Sequence, residues 1–305
     1  LALAGSIIVT DLDPLAPALQ LADRPYLVPQ PTDPEYIPAL VEICRRERVD
    51  LVFPLSDADL PVLARQRAAL EATGVRLAVA SPEAVAVTAD KWLTAELFKS
   101  LELATPRSWL PAQLDPAHVD YPVFIKPRQG DAARHTFKVN NAGELDFFSR
   151  YVPQPLIQEY LPGPVITTDV ICDLSGEVLA VVSHRRLETR GGELAKGVTV
   201  SDPALTAACV QVAQALPAVG PITVQSILKD GVPHFTGLKA RWREGVLLGI
   251  AAGVDAPAWL LARAAGRPVE LPPLGGYQPG LFVSRFADSF FLTQADYERM
   301  AGHRL

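Results

Sequence analysis

The chain has 305 residues, 49% of them hydrophobic and 20% charged, a composition and length suited to a folded protein of about two domains. Twenty-eight Lys and Arg against 34 Asp and Glu leave a net charge of −6, which offers no cationic footprint for a nucleic-acid backbone or an anionic membrane. The longest apolar runs, such as Val178 to Val182 and Val246 to Gly253, are too short to span a bilayer, and three scattered cysteines (Cys44, Cys172, Cys209) argue against a disulfide framework and for a reducing, cytoplasmic compartment.

The chain opens Leu1-Ala2-Leu3 with no Met and no charged segment, which argues against a signal peptide and for a fragment or a trimmed chain. Leu1 to Leu3 read as the last turn of a helix, so a first strand is expected to be missing. Ser6 to Thr10 is a β-branched run ending in Asp11-Leu12-Asp13-Pro14, the pattern of a buried strand and a turn. Asp33-Pro34 predicts a helix start, with Asp as cap and Pro at the first helical position, running to about Arg48. Leu51 to Leu55 predicts a strand, Pro61 to Thr73 an amphipathic helix closed by Gly74, and Val75 to Val79 a third strand. This alternation specifies an α/β part with a doubly wound parallel sheet.

Ser81-Pro82-Glu83 and Asp90-Lys91 predict two successive helices ending near Leu103. Beyond Thr105-Pro106 the pattern changes to short strands at Pro122 to Lys126, Thr136 to Asn140, Leu156 to Tyr160, Ile166 to Cys172 and Val178 to His184. Asp202 to Leu216 predicts a helix. Ile222 to Leu228 and His234 to Leu238 flank Lys229-Asp230-Gly231, a hairpin turn signal. Helices near Val246 to Ala252 and Ala256 to Ala265 follow, and the last 35 residues, from Leu271-Pro272-Pro273, read as a wrapping tail. This second part is α+β with mainly antiparallel strands.

No GxGxxG follows a strand, and no Walker-type loop, GxSxG, CxxC or HExxH occurs, which leaves dinucleotide, P-loop, acyl-transfer and zinc chemistry without support. Four segments carry a joint pattern instead. They are Asp90-Lys91-Trp92-Leu93-Thr94, Phe124-Ile125-Lys126-Pro127-Arg128-Gln129-Gly130, Gln158-Glu159-Tyr160-Leu161-Pro162-Gly163-Pro164, and Val224-Gln225 followed by Lys239-Ala240-Arg241 and Ala251-Ala252-Gly253. In this order and spacing they resemble the ATP-grasp superfamily, in particular the branch related to the carbamoyl-phosphate synthase large subunit. The stretches from Thr10 to Pro29 and from Asp50 to Ala64 are similar to that branch's pre-ATP-grasp domain.

The resemblance implies a pre-ATP-grasp domain over 1–88 with its first strand missing, a two-lobed ATP-grasp fold over 89–270 (lobes about 89–160 and 161–270), and a wrapping segment over 271–305. It implies ATP or ADP as cofactor, and a reaction in which ATP phosphorylates a carboxylate and an amine attacks the acyl phosphate. Lys91 and Lys126, with Arg128 beside them, match the cations that approach the nucleotide phosphates. Glu159, Tyr160 and Leu161 match the strand that reads the adenine edge. Gln225 matches a magnesium-ligand position, and Arg241 the arginine facing the transferring phosphoryl group. Arg190 to Lys196 matches a loop that closes over the carboxylate substrate. Relatives often form dimers, so a homodimer is a further expectation.

Four departures stand out. Gly237-Leu238-Lys239-Ala240-Arg241 replaces a pattern like Glu-x-Asn-Pro-Arg, so two oxygen ligands for magnesium are absent, and Lys239 would repel a divalent cation. The phosphate-covering loop reads Gln129-Gly130-Asp131-Ala132-Ala133-Arg134-His135, with one glycine and an added carboxylate. Val165 stands where an acidic residue is expected. Joint loss predicts an impaired catalyst that keeps a nucleotide cleft, with Lys239 supplying part of the charge magnesium would bring. Two other readings stay open: an active ligase recruiting Glu244 or Asp131 as ligands, or a non-catalytic interaction subunit.

Each residue also has a plain structural reading. Lys126-Pro127-Arg128 can be a solvated strand end, Glu159-Tyr160 an edge-strand pair, Gln225 a core amide, and Arg241 with Trp242 and Glu244 a surface cluster. His184, Arg185 and Arg186 suit either an anionic substrate or a hairpin end. His135 and His234 are isolated and are not expected to hold a metal.

Overall fold

A computed structural model describes residues 5–115, 118–130, 135–243 and 245–302. The expected helical turn at Leu1 to Leu3, the loop residues Asp131 to Arg134, and Glu244 lie outside the described residues.

The chain begins with β1 (Ile8–Asp11), α1 (Pro17–Leu21), β2 (Arg24–Leu27), α2 (Tyr36–Glu47), β3 (Leu51–Val52), α3 (Asp59–Arg65), α4 (Arg67–Glu71) and β4 (Arg76–Leu77). Strands β1 and β2 pair in parallel, as do β3 and β4. The two ladders are separate, and among the described residues none joins β1 to β3. Neither α1 nor β2 is among the expected elements, because both are short and Pro17 and Pro25 interrupt their patterns. Helix α2 starts later than Asp33-Pro34 predicts. The Asp33 side chain accepts the Glu35 N–H at 2.9 Å and its carbonyl accepts the Tyr36 N–H at 3.1 Å, so it closes a turn rather than capping the helix.

Next come α5 (Pro82–Ala89) and α6 (Lys91–Ser100). Both caps are as expected: Ser81 accepts the Ala84 N–H at 3.2 Å and Asp90 the Trp92 N–H at 2.9 Å. The chain then forms β5 (Ser108–Trp109), β6 (Val123–Pro127), β7 (Phe137–Val139), α7 (Ala142–Tyr151) and β8 (Pro155–Glu159). The four strands make an antiparallel sheet in the order β5-β8-β6-β7. Val123, Ile125, Val139 and Ile157 pack with Leu145 of α7. Strand alternation therefore leaves Phe124, Lys126 and Lys138 on the other face.

The second sheet uses β9 (Val165–Cys172), β10 (Val178–Arg190), β11 (Glu193–Val200), then α8 (Pro203–Ala215), β12 (Pro221–Lys229) and β13 (Val232–Lys239). Asp230 and Gly231 join β12 to β13 with φ of 52° and 80°, the double positive φ that a tight hairpin turn needs. Arg190 to Lys196 is not a loop. Arg190 ends β10 and Glu193 to Lys196 belong to β11, leaving Gly191-Gly192 as the turn, because the hairpin is longer than its apolar run suggests. After α9 (Val246–Ala251) and α10 (Ala256–Ala264), the tail adds β14 (Phe282–Ser284) to β11 and packs α11 (Gln294–Ala301) on β2. The order is β13-β12-β9-β10-β11-β14.

One face of this sheet is apolar. Ile166, Val170, Ile222, Val224 and Leu238 share a continuous core with Leu205, Cys209 and Val212 of α8, Phe98 of α6, and Leu40, Leu60, Leu77 and Val79 of the N-terminal elements. The registers place the polar side chains on the opposite face. Lys239 lies across from Thr223 and Thr223 from Asp169, while Gly237, Gln225, Thr167 and His184 form the next row. Ile171 and Val182 close one end of that face against Trp259 and Leu260 of α10.

Candidate functional site

Lys126 projects from β6 on the face away from that sheet's core, and Lys91 begins α6 beside it. The Lys91 ammonium donates to the carbonyls of Pro127 at 3.0 Å and Gly130 at 2.9 Å. Its backbone N–H donates to the Arg128 carbonyl at 2.9 Å, which fixes the helix start to the strand end. Burial, and then the Lys91 charge, push the Lys126 ammonium down to about 7. The Arg128 guanidinium is engaged by the Asp90 carboxylate, with Nε 3.1 Å from Oδ1 and Nη2 bonded to Oδ2.

A second group marks the passage between the sheets. Glu159 ends β8, and its carboxylate accepts from Lys229 of β12 at 3.2 Å. The Glu159 N–H donates to the Arg107 carbonyl at 2.8 Å, and the Arg107 N–H lies 3.4 Å from the carboxylate. Burial pushes this carboxyl up, but the hydrogen bonds from Lys229 and Arg107 outweigh it and leave it below its ordinary range. The Lys138 ammonium sits 4.4 Å from the Tyr160 ring centre, and Leu161 is buried. Gly163 follows where a Cβ would stand 2.2 Å from the Leu228 carbonyl oxygen, so only glycine lets the crossing strand approach β12 this closely.

The third group forms the floor on the polar face of the six-stranded sheet. Gln225 faces Gly237, and its Oε1 lies 3.3 Å from where a Gly237 Cβ would be. Lys239 Nζ donates to Asp57 Oδ2 and Arg241 Nε to Asp57 Oδ1, each at 2.7 Å. Arg241 Nη1 also donates to the Trp242 carbonyl at 3.0 Å, and Trp242 packs against Phe53 with ring centres 5.0 Å apart. The Thr223 hydroxyl lies 2.7 Å from Asp169 Oδ1 and 3.1 Å from the Arg241 carbonyl. Arg186 donates from Nε to the Thr167 hydroxyl at 3.0 Å, which brings it onto the floor, whereas Arg185 pairs with Ile166 and is exposed.

These contacts gather Lys91 with Lys126, Glu159 with the second sheet, and Gln225 with Lys239 and Arg241. His135 packs against Tyr151 and His234 bonds the Val232 carbonyl. Sequence reasoning passed over Asp57, Lys229 and Lys138. The Asp57 contacts join residues 182 and 184 positions apart, so no local pattern signals them. Magnesium needs about six oxygen donors. The floor offers the Gln225 amide across from Gly237, with the Lys239 ammonium two residues along the same face, while its carboxylates are engaged, Asp57 by Lys239 and Arg241 and Asp169 by Thr223. Among the described residues, no group of three or more His, Cys, Asp or Glu side chains is placed to hold a metal.

The family models agree with this architecture. A PylC-like N-terminal domain matches residues 1–78 and an ATP-grasp domain matches 88–242. The chain is 25% identical over 170 residues to a carbamoyl-phosphate synthase of Methanobrevibacter smithii, covering 54% of this chain and 45% of that protein. It is 29% identical over 117 residues to a D-alanine–D-alanine ligase of Fusobacterium nucleatum, covering 38% of each. The match thus spans less than half the length of these relatives. Among solved structures, the biotin carboxylase domain of Hydrogenobacter thermophilus 2-oxoglutarate carboxylase superposes with a TM-score of 0.71 at 18% identity, covering 90% of this chain and 67% of that one. No helix among the described residues is long and apolar enough to cross a membrane. The two antiparallel sheets, the paired lysines and the domain matches converge on one assignment: the chain belongs to the ATP-grasp superfamily, with a PylC-like domain ahead of the ATP-grasp domain.

Proposed function

We propose that the cleft between the two antiparallel sheets binds ATP or ADP without requiring magnesium, and that the family's carboxylate–amine ligation is impaired in this chain. The observation that carries this reading is the floor, where Gln225 faces Gly237 while Lys239 and Arg241 share the Asp57 carboxylate. Lys91 and Lys126 would hold the phosphates as point charges. Glu159, Tyr160 and Leu161 would face the adenine. Arg241 would meet the terminal phosphoryl group, and Lys239 would supply charge in place of a metal. The related biotin carboxylase domain, crystallised with MgADP, ADP and bicarbonate, supports a nucleotide as the ligand class. The units we assign are 1–88, 89–270 and 271–305.

Calorimetric titration of ADP and ATP with and without magnesium tests the reading. Comparable affinity in both conditions is expected, and strictly magnesium-dependent binding would overturn it. Joint substitution Gly237→Glu and Lys239→Asn should introduce a magnesium requirement. Release of ADP that depends on both an added carboxylate and an added amine would instead establish a working ligase.

A further inference from the structure

Asp57 lies between β3 and α3, in the N-terminal part of the chain, yet it meets the end of β13. Each of its oxygens takes one cation, Lys239 at one and Arg241 at the other. Two cations converging on one carboxylate form a cradle for an anion, and the chain fills it with its own side chain. The connection that carries Asp57 is held in place. The Ala58 N–H donates to the Ser56 hydroxyl at 3.2 Å, and the Tyr36 hydroxyl to Asp59 at 3.0 Å. Phe53 packs on Trp242. Solvent still reaches the cluster, since the Asp57 side chain is 26% exposed. Asp169, tied to Thr223, is the further carboxylate on this floor.

We infer that Asp57 is a specificity-determining residue: its carboxylate occupies the anion cradle of Lys239 and Arg241, so that the cleft favours a nucleoside diphosphate over a triphosphate. This rests on the nucleotide reading above. Asp57→Asn removes one negative charge from beside Lys239 and Arg241 and leaves Asp59, which also faces Arg241, in place. A ligand whose outermost phosphate reaches the floor feels that difference, and one that stops short does not.

The test measures ADP and ATP affinities of the full chain in EDTA, for the wild type and for Asp57→Asn. D57N is expected to tighten ATP by about tenfold and ADP by much less, while Asp57→Glu keeps the wild-type ratio. A purely structural Asp57 would change the melting temperature but not the ratio. Equal shifts for both nucleotides, or none, would overturn the inference while leaving nucleotide binding intact. If adenine nucleotides bind neither protein, the inference falls together with the nucleotide reading, an outcome distinct from equal shifts, which defeat the inference alone. Should D57N not fold, Lys239→Met must shift the ratio further toward ADP, since Asp57 then faces Arg241 alone; an unchanged ratio counts against the inference.

Discussion

Lys126 makes the sharpest prediction, because its proton is poised near neutral pH by burial and by Lys91. A phosphate arriving beside it favours the charged form and raises its pKa again. Nucleotide binding should therefore take up a proton. With a starting value of about 7, only about a tenth of the free protein carries the proton at pH 8, so uptake approaches about 0.9 proton per nucleotide bound. Phosphate groups have lost their last proton by that pH, which isolates the lysine's contribution. Apparent affinity should fall about tenfold per pH unit above 7 until the pKa of the complex is reached. Calorimetry in two buffers of different ionisation enthalpy reads the uptake directly. Lys126→Met should abolish it. Uptake near zero in the wild type, or undiminished in the variant, would refute the reasoning. The same shift has a stability sign: the folded value lies below the ordinary 10.5, so the penalty of a charged Lys126 is full below pH 7 and is relieved as pH rises toward 10.5. Lys126→Met should accordingly stabilise the ligand-free protein most at low pH, as read by chemical denaturation.

Glu159 has the opposite sign. Its lowered pKa stabilises the fold above the ordinary carboxyl range, and that contribution is lost as pH falls through the lowered value. Glu159→Gln should flatten the acid limb of the stability profile, measured by melts between pH 3 and 7, and should weaken adenine nucleotides. Gly245→Ala should destabilise the chain by about 1–3 kcal/mol in urea, since a Cβ there would stand 2.3 Å from the His184 ring and 2.7 Å from Asp169 Oδ2. Gly163→Ala should cost at least as much, because the obstructing atom is the Leu228 backbone carbonyl rather than a side chain; hydrogen exchange should show loosening of the β8–β9 crossing first.

The elements with strong local signals were readable in advance. Ser81 and Asp90 announced their helices, and Asp230-Gly231 its hairpin, because capping and positive φ are decided within a few residues. Asp33-Pro34 offered the same cap signal and made a turn instead, since its carboxylate bonded two residues on. The extent of β10 was not legible, as its outer half is polar and is held by pairing to β11, whose start lies in the stretch expected as a loop. In the site, the lysines and Glu159 were identifiable as a pattern, but their counter-ions were not. Lys229 and Asp57 reach their partners only through tertiary folding.

The apolar core continues without a break from Leu40, Leu60 and Leu77 through Phe98 to Val170, Val224 and Leu238. Such a seam makes the front portion of the chain and the sheet behind the cleft a cooperative unit, which should denature in one transition. Transplanting the front portion from a distant homologue would misfit this seam before it altered any chemistry. Evolutionary exchange of that portion therefore demands compensating changes buried far from the ligand.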